Sequence, residues 1–168
     1  MKRDEVLARL TADRAEFDRR IKLLGSDAFN RVPAGYVHSP REILFHVTAY
    51  EELIVERLRA ARTGEITAFD RDRIGWEAFN ERIWREAAGV DEAAAKTRAR
   101  EIFAALVGEV SKLTDEDLNG TTDLTRAIDP EWLKGRALWE LIAIDGFDHY
   151  AMHYAALDAA LAEGDRSR

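Results

Sequence analysis

The sequence predicts an all-α protein, an antiparallel four-helix bundle with a broken middle helix. Apolar residues recur at steps of three, four and seven along four long segments, which is the period of an amphipathic helix. No stretch alternates apolar and polar residues with the β-branched bulk that a sheet needs. Because the 168 residues are 46% hydrophobic, they hold enough apolar material for one core, and we expect residues 1–168 to form a single domain.

The first two helices are indicated by apolar spacing and by their boundaries. Residues 3–24 carry one apolar stripe, and Gly25 follows as a stop. In "SPRE" at 39–42, the serine can cap a helix, the proline suits its first position, and the glutamate can reach back in a capping box. The second helix is therefore predicted to run from there to about Thr63.

The middle of the chain predicts a helix in two pieces. The segment 64–75 is expected to be a long loop, and residues 76–88 then repeat aromatic and apolar side chains at helical spacing up to Gly89. Asp91 can cap a further helix. The apolar face of that helix is Ile102, Leu106, Val110 and Leu113.

The last long helix follows an irregular region. A polar stretch over 114–128 breaks the apolar pattern, and "DPEW" at 129–132 reopens it. Asp129 is the expected cap there, with the proline at the first helical position. From these boundaries, the last helix is predicted to run from about Arg136 to Ala162.

Composition limits the classes of function. The net charge is -7 and the basic residues are interspersed with acids, so we expect no nucleic-acid partner. No apolar run approaches the roughly 18 residues of a membrane span, and the charged start lacks a secretion signal, so we expect a cytoplasmic protein without a membrane partner. Zero cysteines exclude disulfides and thiolate ligands, and any thiol chemistry must use an external thiol.

Three of the four histidines indicate a metal site. Asp145, His149 and His153 are spaced by four residues and therefore share one face of the last helix. His46 lies on an apolar stripe of the second helix, while His38 belongs to a loop and receives no role. Three neutral imidazoles from neighbouring helices can hold Zn²⁺ or Ni²⁺ and leave positions open for water or substrate.

Other interpretations of these residues stay open. A histidine on an apolar helical face is usually a hydrogen-bonded core residue, and paired histidines at this spacing also occur by chance. Asp145 can ligate the ion, orient His149 from a second shell, or lie at the solvated rim; the second-shell role is our preferred hypothesis.

The catalytic candidates are Tyr50, Asn80 and Asp145. The acidic pair Glu51-Glu52 is interpreted as solvated helix surface.

The tryptophans have two interpretations. Aromatic residues at helical spacing more often fill a core than line a substrate pocket, and we favour the core. Asn80 is polar beside two of them and is the preferred pocket member. The four tryptophans are Trp76, Trp84, Trp132 and Trp139.

Three segments resemble the DinB-like superfamily of four-helix-bundle proteins, over nearly the whole chain. "SPREILFHVTAYEE" is similar to the family's second helix, "GWEAFNERIW" to the start of its third, and "LWELIAIDGFDHYAMHYAALDAAL" to its final helix. The branch that the chain resembles includes the ClbS and DfsB proteins and the amino-terminal domains of mycothiol-dependent maleylpyruvate isomerases. The resemblance implies a DinB/YfiT-like fold and places the family's metal triad on His46, His149 and His153.

The resemblance also implies a function. Members with a full triad resemble thiol S-transferases or isomerases, in which a metal-bound bacillithiol, mycothiol or glutathione attacks an electrophilic small molecule. Tyr50 departs from the tryptophan that is common in the family's second helix. Alternatives are a ClbS-like metal-free hydrolase, a protein that sequesters an electrophilic metabolite, and a non-catalytic helical interaction domain. We expect a homodimer.

Overall fold

The structure, a computed structural model, describes residues 1–128 and 130–166. Within them every regular element is helical and no strand occurs, which confirms the all-α class. No helix in this part of the chain is long and apolar enough to cross a membrane. The helices are α1 (Arg3–Leu23), α2 (Ser26–Asn30), α3 (Pro40–Arg62), α4 (Ala68–Arg71), α5 (Trp76–Ala87), α6 (Glu92–Val110), α7 (Asp115–Asn119), α8 (Asp123–Ala127), α9 (Pro130–Leu133), α10 (Leu138–Ile142), α11 (Asp148–Met152) and α12 (Tyr154–Arg166).

Helix α3 lies at the centre of the packing. It contacts α5 and α6, while α1 contacts α6, α11 and α12. The main core draws apolar side chains from α1, α3, α6 and the last helices. A second cluster joins α3, α4 and α5, and its members are Phe45, Ala49, Leu53, Phe69, Phe79, Ile83 and Ala87. These contacts place α5 and the last helices beside the same stretch of α3. The antiparallel four-helix order stays a prediction.

Helix α3 begins as predicted, at a capping box. The Ser39 hydroxyl accepts a hydrogen bond from the Glu42 backbone N–H at 3.3 Å, and the Glu42 carboxylate accepts one from the Ser39 N–H at 2.7 Å. Ser39 is buried, so water replaces neither partner easily.

Loss of this cap is expected to destabilise the protein. Replacing Ser39 with alanine leaves the Glu42 N–H without its acceptor and should lower the free energy of unfolding by about 1 kcal/mol. Urea unfolding of Ser39→Ala beside wild type measures this difference. Thr63→Ala, at the carboxyl end of the same helix, is the control, and an equal loss in both variants would show that the cap has no special weight.

The middle of the chain agrees with the predicted break. Helix α5 ends at Ala87, and the Asp91 carboxylate accepts a hydrogen bond from the Ala94 N–H at 2.8 Å to cap α6. The predicted long loop over 64–75 is wrong in part, because it contains α4. A four-residue helix is too short to show a period, and α4 is held by its Thr67 cap and by the ion pair of Asp70 with α3.

The polar region before the last helix is also more helical than predicted. It contains α7 and α8, opened by the capping side chains of Thr114 and Thr122. Each has five residues, again too few for apolar spacing to reveal. The predicted cap at Asp129 lies outside the described residues.

The last helix is not the continuous helix that the sequence predicts. A π-helical turn over Ala143–Phe147 joins α10 to α11, and Gly146 within it has non-helical angles of φ -116° and ψ -106°. A Cβ atom at Gly146 would lie 3.4 Å from Leu10 Cδ1, so the turn packs tightly on α1. Apolar spacing does not reveal this turn, because apolar residues occur before it, inside it and at its end.

The interpretation of Glu51 as solvated surface is wrong. Its side chain is fully buried between α1, α3 and α11 and forms an ion pair with Arg14, which is also buried. The same Glu51 oxygen accepts a hydrogen bond from the Tyr150 hydroxyl at 2.6 Å. Buried charge is rare enough that two adjacent glutamates predict surface. Here a buried arginine, distant in sequence, reverses that expectation.

Candidate metal centre

Three histidines converge where α3 meets the last helices. His46 comes from α3, His149 from α11, and His153 from the junction between α11 and α12. The His149 Nε2 atom lies 3.1 Å from Nε2 of His46 and 3.2 Å from Nε2 of His153. One ligand nitrogen from each of the three lies within 4.8 Å of the others. The structure therefore brings together the three residues chosen from the sequence.

The nitrogen spacing fits a metal ion. Two nitrogens that each lie about 2.0–2.1 Å from a tetrahedral Zn²⁺ are about 3.3 Å apart. The separations of 3.1 and 3.2 Å are close to that value. Three imidazole ligands suit Zn²⁺ and Ni²⁺ and leave at least one position for another ligand. The donor set therefore fits the ion that the sequence predicts.

The three imidazoles are held in the neutral form that binds metal. Burial lowers the pKa of His46 to about 2, and His149 and His153 act in the same direction. Burial also lowers the pKa of His149 to about 3 and that of His153 to about 4. At neutral pH each ring therefore carries a lone pair on one nitrogen, and no proton must be removed before a metal binds.

The outer nitrogens of the buried histidines are less usual. The Nδ1 atoms of His46 and His149 are buried, and no described residue gives either of them a hydrogen-bond partner. The backbone carbonyl of Asp145 opposes the lowering of the His149 pKa, without completing a well-aligned hydrogen bond. A metal-bound histidine normally donates from this second nitrogen to a carboxylate or carbonyl. His46 must therefore be oriented in another way.

Tyr50 lies beside the histidines, and Asn80 lies beside Tyr50. The Tyr50 ring contacts the rings of His46 and His149 at centroid distances of 4.9 and 4.7 Å. Its hydroxyl donates a hydrogen bond to Asn80 Oδ1 at 3.0 Å. Burial raises the pKa of Tyr50, and the charge of Asp145 adds to the rise. The phenol is therefore a neutral donor at physiological pH.

The Asp145 carboxylate pairs with Trp132 and Arg57 and not with a histidine. It accepts a hydrogen bond from Trp132 Nε1 at 3.3 Å and lies 3.6 Å from Arg57 Nη1. Arg57 in turn donates three hydrogen bonds to Asp70, at 2.6, 2.9 and 3.2 Å. Burial raises the pKa of Asp145 to about 6, against the opposing charge of Arg57. The preferred second-shell role is wrong, because the carboxylate pairs with Trp132 and Arg57, and no described residue gives His149 Nδ1 a hydrogen-bond partner.

Comparison with known proteins decides the family. The sequence model described as the DinB superfamily matches residues 9–157, which is most of the chain. The chain belongs to the DinB superfamily. No curated protein matches this DinB-superfamily chain significantly.

Two solved structures share the fold of this DinB-superfamily protein. A Streptococcus pneumoniae protein has a TM-score of 0.75 at 10% identity, over 99% of this chain and 91% of its own. An uncharacterised protein from Escherichia coli UTI89 has a TM-score of 0.76 at 11% identity, over 99% of this chain and 94% of its own. At such low identity the likeness shows the fold alone.

The sequence interpretation gave no role to His38 and assigned Trp84 to the core, but both lie at this site of the DinB-superfamily protein. His38 and His46 both stack on the Trp84 ring, at centroid distances of 3.6 and 4.3 Å and interplanar angles of 10° and 11°. His38 also lies close enough to lower the pKa values of His46 and His153 by its charge. The sequence did offer one signal. His38 directly precedes Ser39, the cap of α3, so it had to lie close to the first turn of that helix.

The core interpretation of the tryptophans is half right. Trp132 and Trp139 pack against the main core. Trp76 instead stacks on Tyr50 at 5.6 Å and is 43% exposed, and Trp84 lies against the histidines. Since Trp76, Asn80 and Trp84 are spaced by four residues, they share one face of α5. That face forms the third wall of the site, beside α3 and the last helices.

Proposed function

We propose that this DinB-superfamily protein is a metal-dependent enzyme of small-molecule detoxification. It binds Zn or Ni through His46, His149 and His153 and works as a thiol S-transferase or isomerase on an electrophilic substrate. The convergence of three neutral imidazole nitrogens is the observation that carries the proposal. Assignment to the branch around the ClbS and DfsB proteins belongs to the same proposal, as does a cytoplasmic location.

The chemistry divides between the ion and the chain. A bound divalent ion lowers the pKa of a thiol or water and so supplies a nucleophile at neutral pH. The chain has no cysteine, so the sulfur comes from a low-molecular-weight thiol such as bacillithiol, mycothiol or glutathione. His153 is half-buried while His46 and His149 are buried, which favours entry from the His153 side.

Tyr50 and Asn80 are placed to position the electrophile. The Tyr50 hydroxyl fixes the Asn80 amide through Oδ1, which leaves the Asn80 N–H groups free to donate to a substrate oxygen. The phenol keeps its proton because its pKa is raised, so it stays a neutral donor that holds the Asn80 amide in this orientation. Asp145 is committed to Trp132 and Arg57, so we assign it no step in the reaction.

Metal content tests the proposal directly. Untagged protein purified without chelator is expected to hold about one Zn or Ni per chain, and His46→Ala is expected to lose it. Mass spectrometry measures the metal, and thiol consumption with the electrophile monochlorobimane measures the transfer. Lys22→Ala, on the exposed side of α1, is the control that should keep both.

Other results would favour the other interpretations. A triad variant that stays fully active on an identified substrate would contradict the metal-dependent mechanism and favour a metal-free hydrolase. Tight ligand binding that survives chelation, seen as a change in tryptophan fluorescence, would favour a sequestering protein. Absence of both metal and ligand would favour an interaction domain. The homodimer and the absence of nucleic-acid and membrane partners stay predictions.

A further inference from the structure

We infer that Trp84 is a positioning residue that orients the metal ligand His46 by stacking, in place of the hydrogen bond that usually fixes such a ring. The inference rests on the proposed metal site and deepens it. Trp84 touches the side chain of the ligand His46 and not the ion. Its contact explains how the buried His46 ring keeps its orientation although Nδ1 has no hydrogen-bond partner among the described residues.

The first step is the missing hydrogen bond. Nδ1 of His46 is buried, and no side chain or backbone group of the described residues pairs with it. An imidazole turns about its χ2 bond in a broad energy well, so Nε2 would not be held toward the metal position by rotamer preference alone. Some other contact must restrict this rotation.

The second step is the stacked ring. The His46 imidazole lies 4.3 Å from the Trp84 ring centroid and only 11° from parallel. Rotation about χ2 would tilt the imidazole out of this plane and break the stack. His149 and His153 meet the His46 ring at 76° and 79°, by their edges. The indole therefore fixes the plane of the imidazole while Nε2 faces the other two histidines.

The third step is the support of the indole itself. Trp84 is half-buried on α5, next to the buried Ile83. His38 stacks on the same indole at 3.6 Å and 10°. The loop before α3 and the start of α3 are thus linked through one aromatic ring. This gives His38 an indirect part in the site, through Trp84.

Zinc affinity measured by competition with a chelating dye tests the inference. Trp84→Leu, which keeps apolar bulk but has no flat face, is expected to bind Zn²⁺ about 10-fold more weakly, the lower end of the loss seen when a partner of a ligand is removed. Trp84→Phe restores a flat ring and should recover much of the affinity. Ile83→Val is the matched control, because it removes buried packing atoms beside Trp84 on α5 but no ring, and it should change affinity by less than about twofold.

A spectroscopic signature separates orientation from general loosening. Co²⁺ in place of zinc is expected to show a shifted absorption band in Trp84→Leu but not in Ile83→Val, because the His46 ligand no longer holds one orientation in Trp84→Leu. Circular dichroism and thermal unfolding in chelator check that each variant folds. If Trp84→Leu is unstable, the comparison of Trp84→Phe with wild type carries the test, with a smaller loss of affinity and a smaller shift expected.

Two results would overturn the inference while the metal site stands. One is wild-type zinc affinity and an unchanged cobalt band in Trp84→Leu. The other is an equal loss in Trp84→Leu and Ile83→Val, which would reflect loosening of α5 as a whole. Failure of the wild-type protein to bind Zn²⁺ or Co²⁺ would overturn the proposed function itself, and the inference with it.

Discussion

Acidification from pH 7 to pH 5 is expected to lower the free energy of unfolding of the metal-free protein by about 5 kcal/mol. The unfolded chain binds a proton on each of His46, His149 and His153 near the ordinary pKa of about 6.5. In the folded protein the pKa values of these histidines are about 2, 3 and 4, all below both the ordinary value and pH 5. The stabilisation is thus fully present above pH 6.5 and is lost as the pH falls, by about 2 kcal/mol per histidine at pH 5.

Asp145 acts in the opposite direction. Its folded pKa of about 6 lies above the ordinary value of 3.8, so the folded protein takes up a proton in this window and the unfolded chain does not. This restores about 1 kcal/mol of stability at pH 5. The expected net loss depends little on how protons are shared among the histidines, because all three folded pKa values lie below pH 5.

Urea unfolding in chelator at pH 7, 6 and 5 measures this dependence. Replacing His149 with leucine should remove about a third of the histidine contribution to the slope, since one of three groups is lost. His38→Ala, at the fourth histidine, is the comparison that should change the slope less, because His38 is only half-buried. A stability that does not vary between pH 7 and pH 5 would mean that the triad histidines are protonated normally in the folded protein.

Glu51→Ala is expected to lower the free energy of unfolding by about 3–5 kcal/mol, the usual result of removing one partner of a buried ion pair. Arg14 would stay buried without its main counter-charge, because its other partner Asp18 is half exposed. The Tyr150 hydroxyl would also lose the acceptor that it contacts at 2.6 Å. Thermal or urea unfolding measures the loss.

The neighbouring Glu52 is the matched control. It pairs with Arg98 at the surface, where both side chains are about one-third exposed, so Glu52→Ala should change stability by less than about 1 kcal/mol. The double variant Arg14→Met with Glu51→Leu replaces the charges by apolar groups and should regain most of the loss. Similar effects of Glu51→Ala and Glu52→Ala would contradict the importance of the buried pair.

The long helices and the three clustered histidines of this protein could be predicted from local sequence spacing. The positions of α1, α3 and α6 could be predicted because each is long enough to repeat its apolar face, and α3 and α6 begin at side-chain caps. The three histidines could be found because spacing on the last helix put two on one face, and the apolar stripe of α3 put His46 inside. For these residues, local spacing and tertiary contact agree.

The missed features depend on contacts between distant segments. Glu51 is buried because Arg14, 37 residues away, meets it, and no spacing within α3 shows this. Trp84 reaches the site because α5 packs on α3. Asp145 lies within the π turn, and its carboxylate pairs with Trp132 and Arg57 instead of with His149.

The π turn also divides the last helix into two units that can vary separately. An α-helix advances about 100° per residue, so the one extra residue sets α10 and α11 out of phase with each other. Helix α10 therefore packs on α7 and α9, while α11 packs on α1. Substitutions that reshape the α10 surface are therefore expected to leave the orientation of His149 and His153, which follow the turn, largely unchanged.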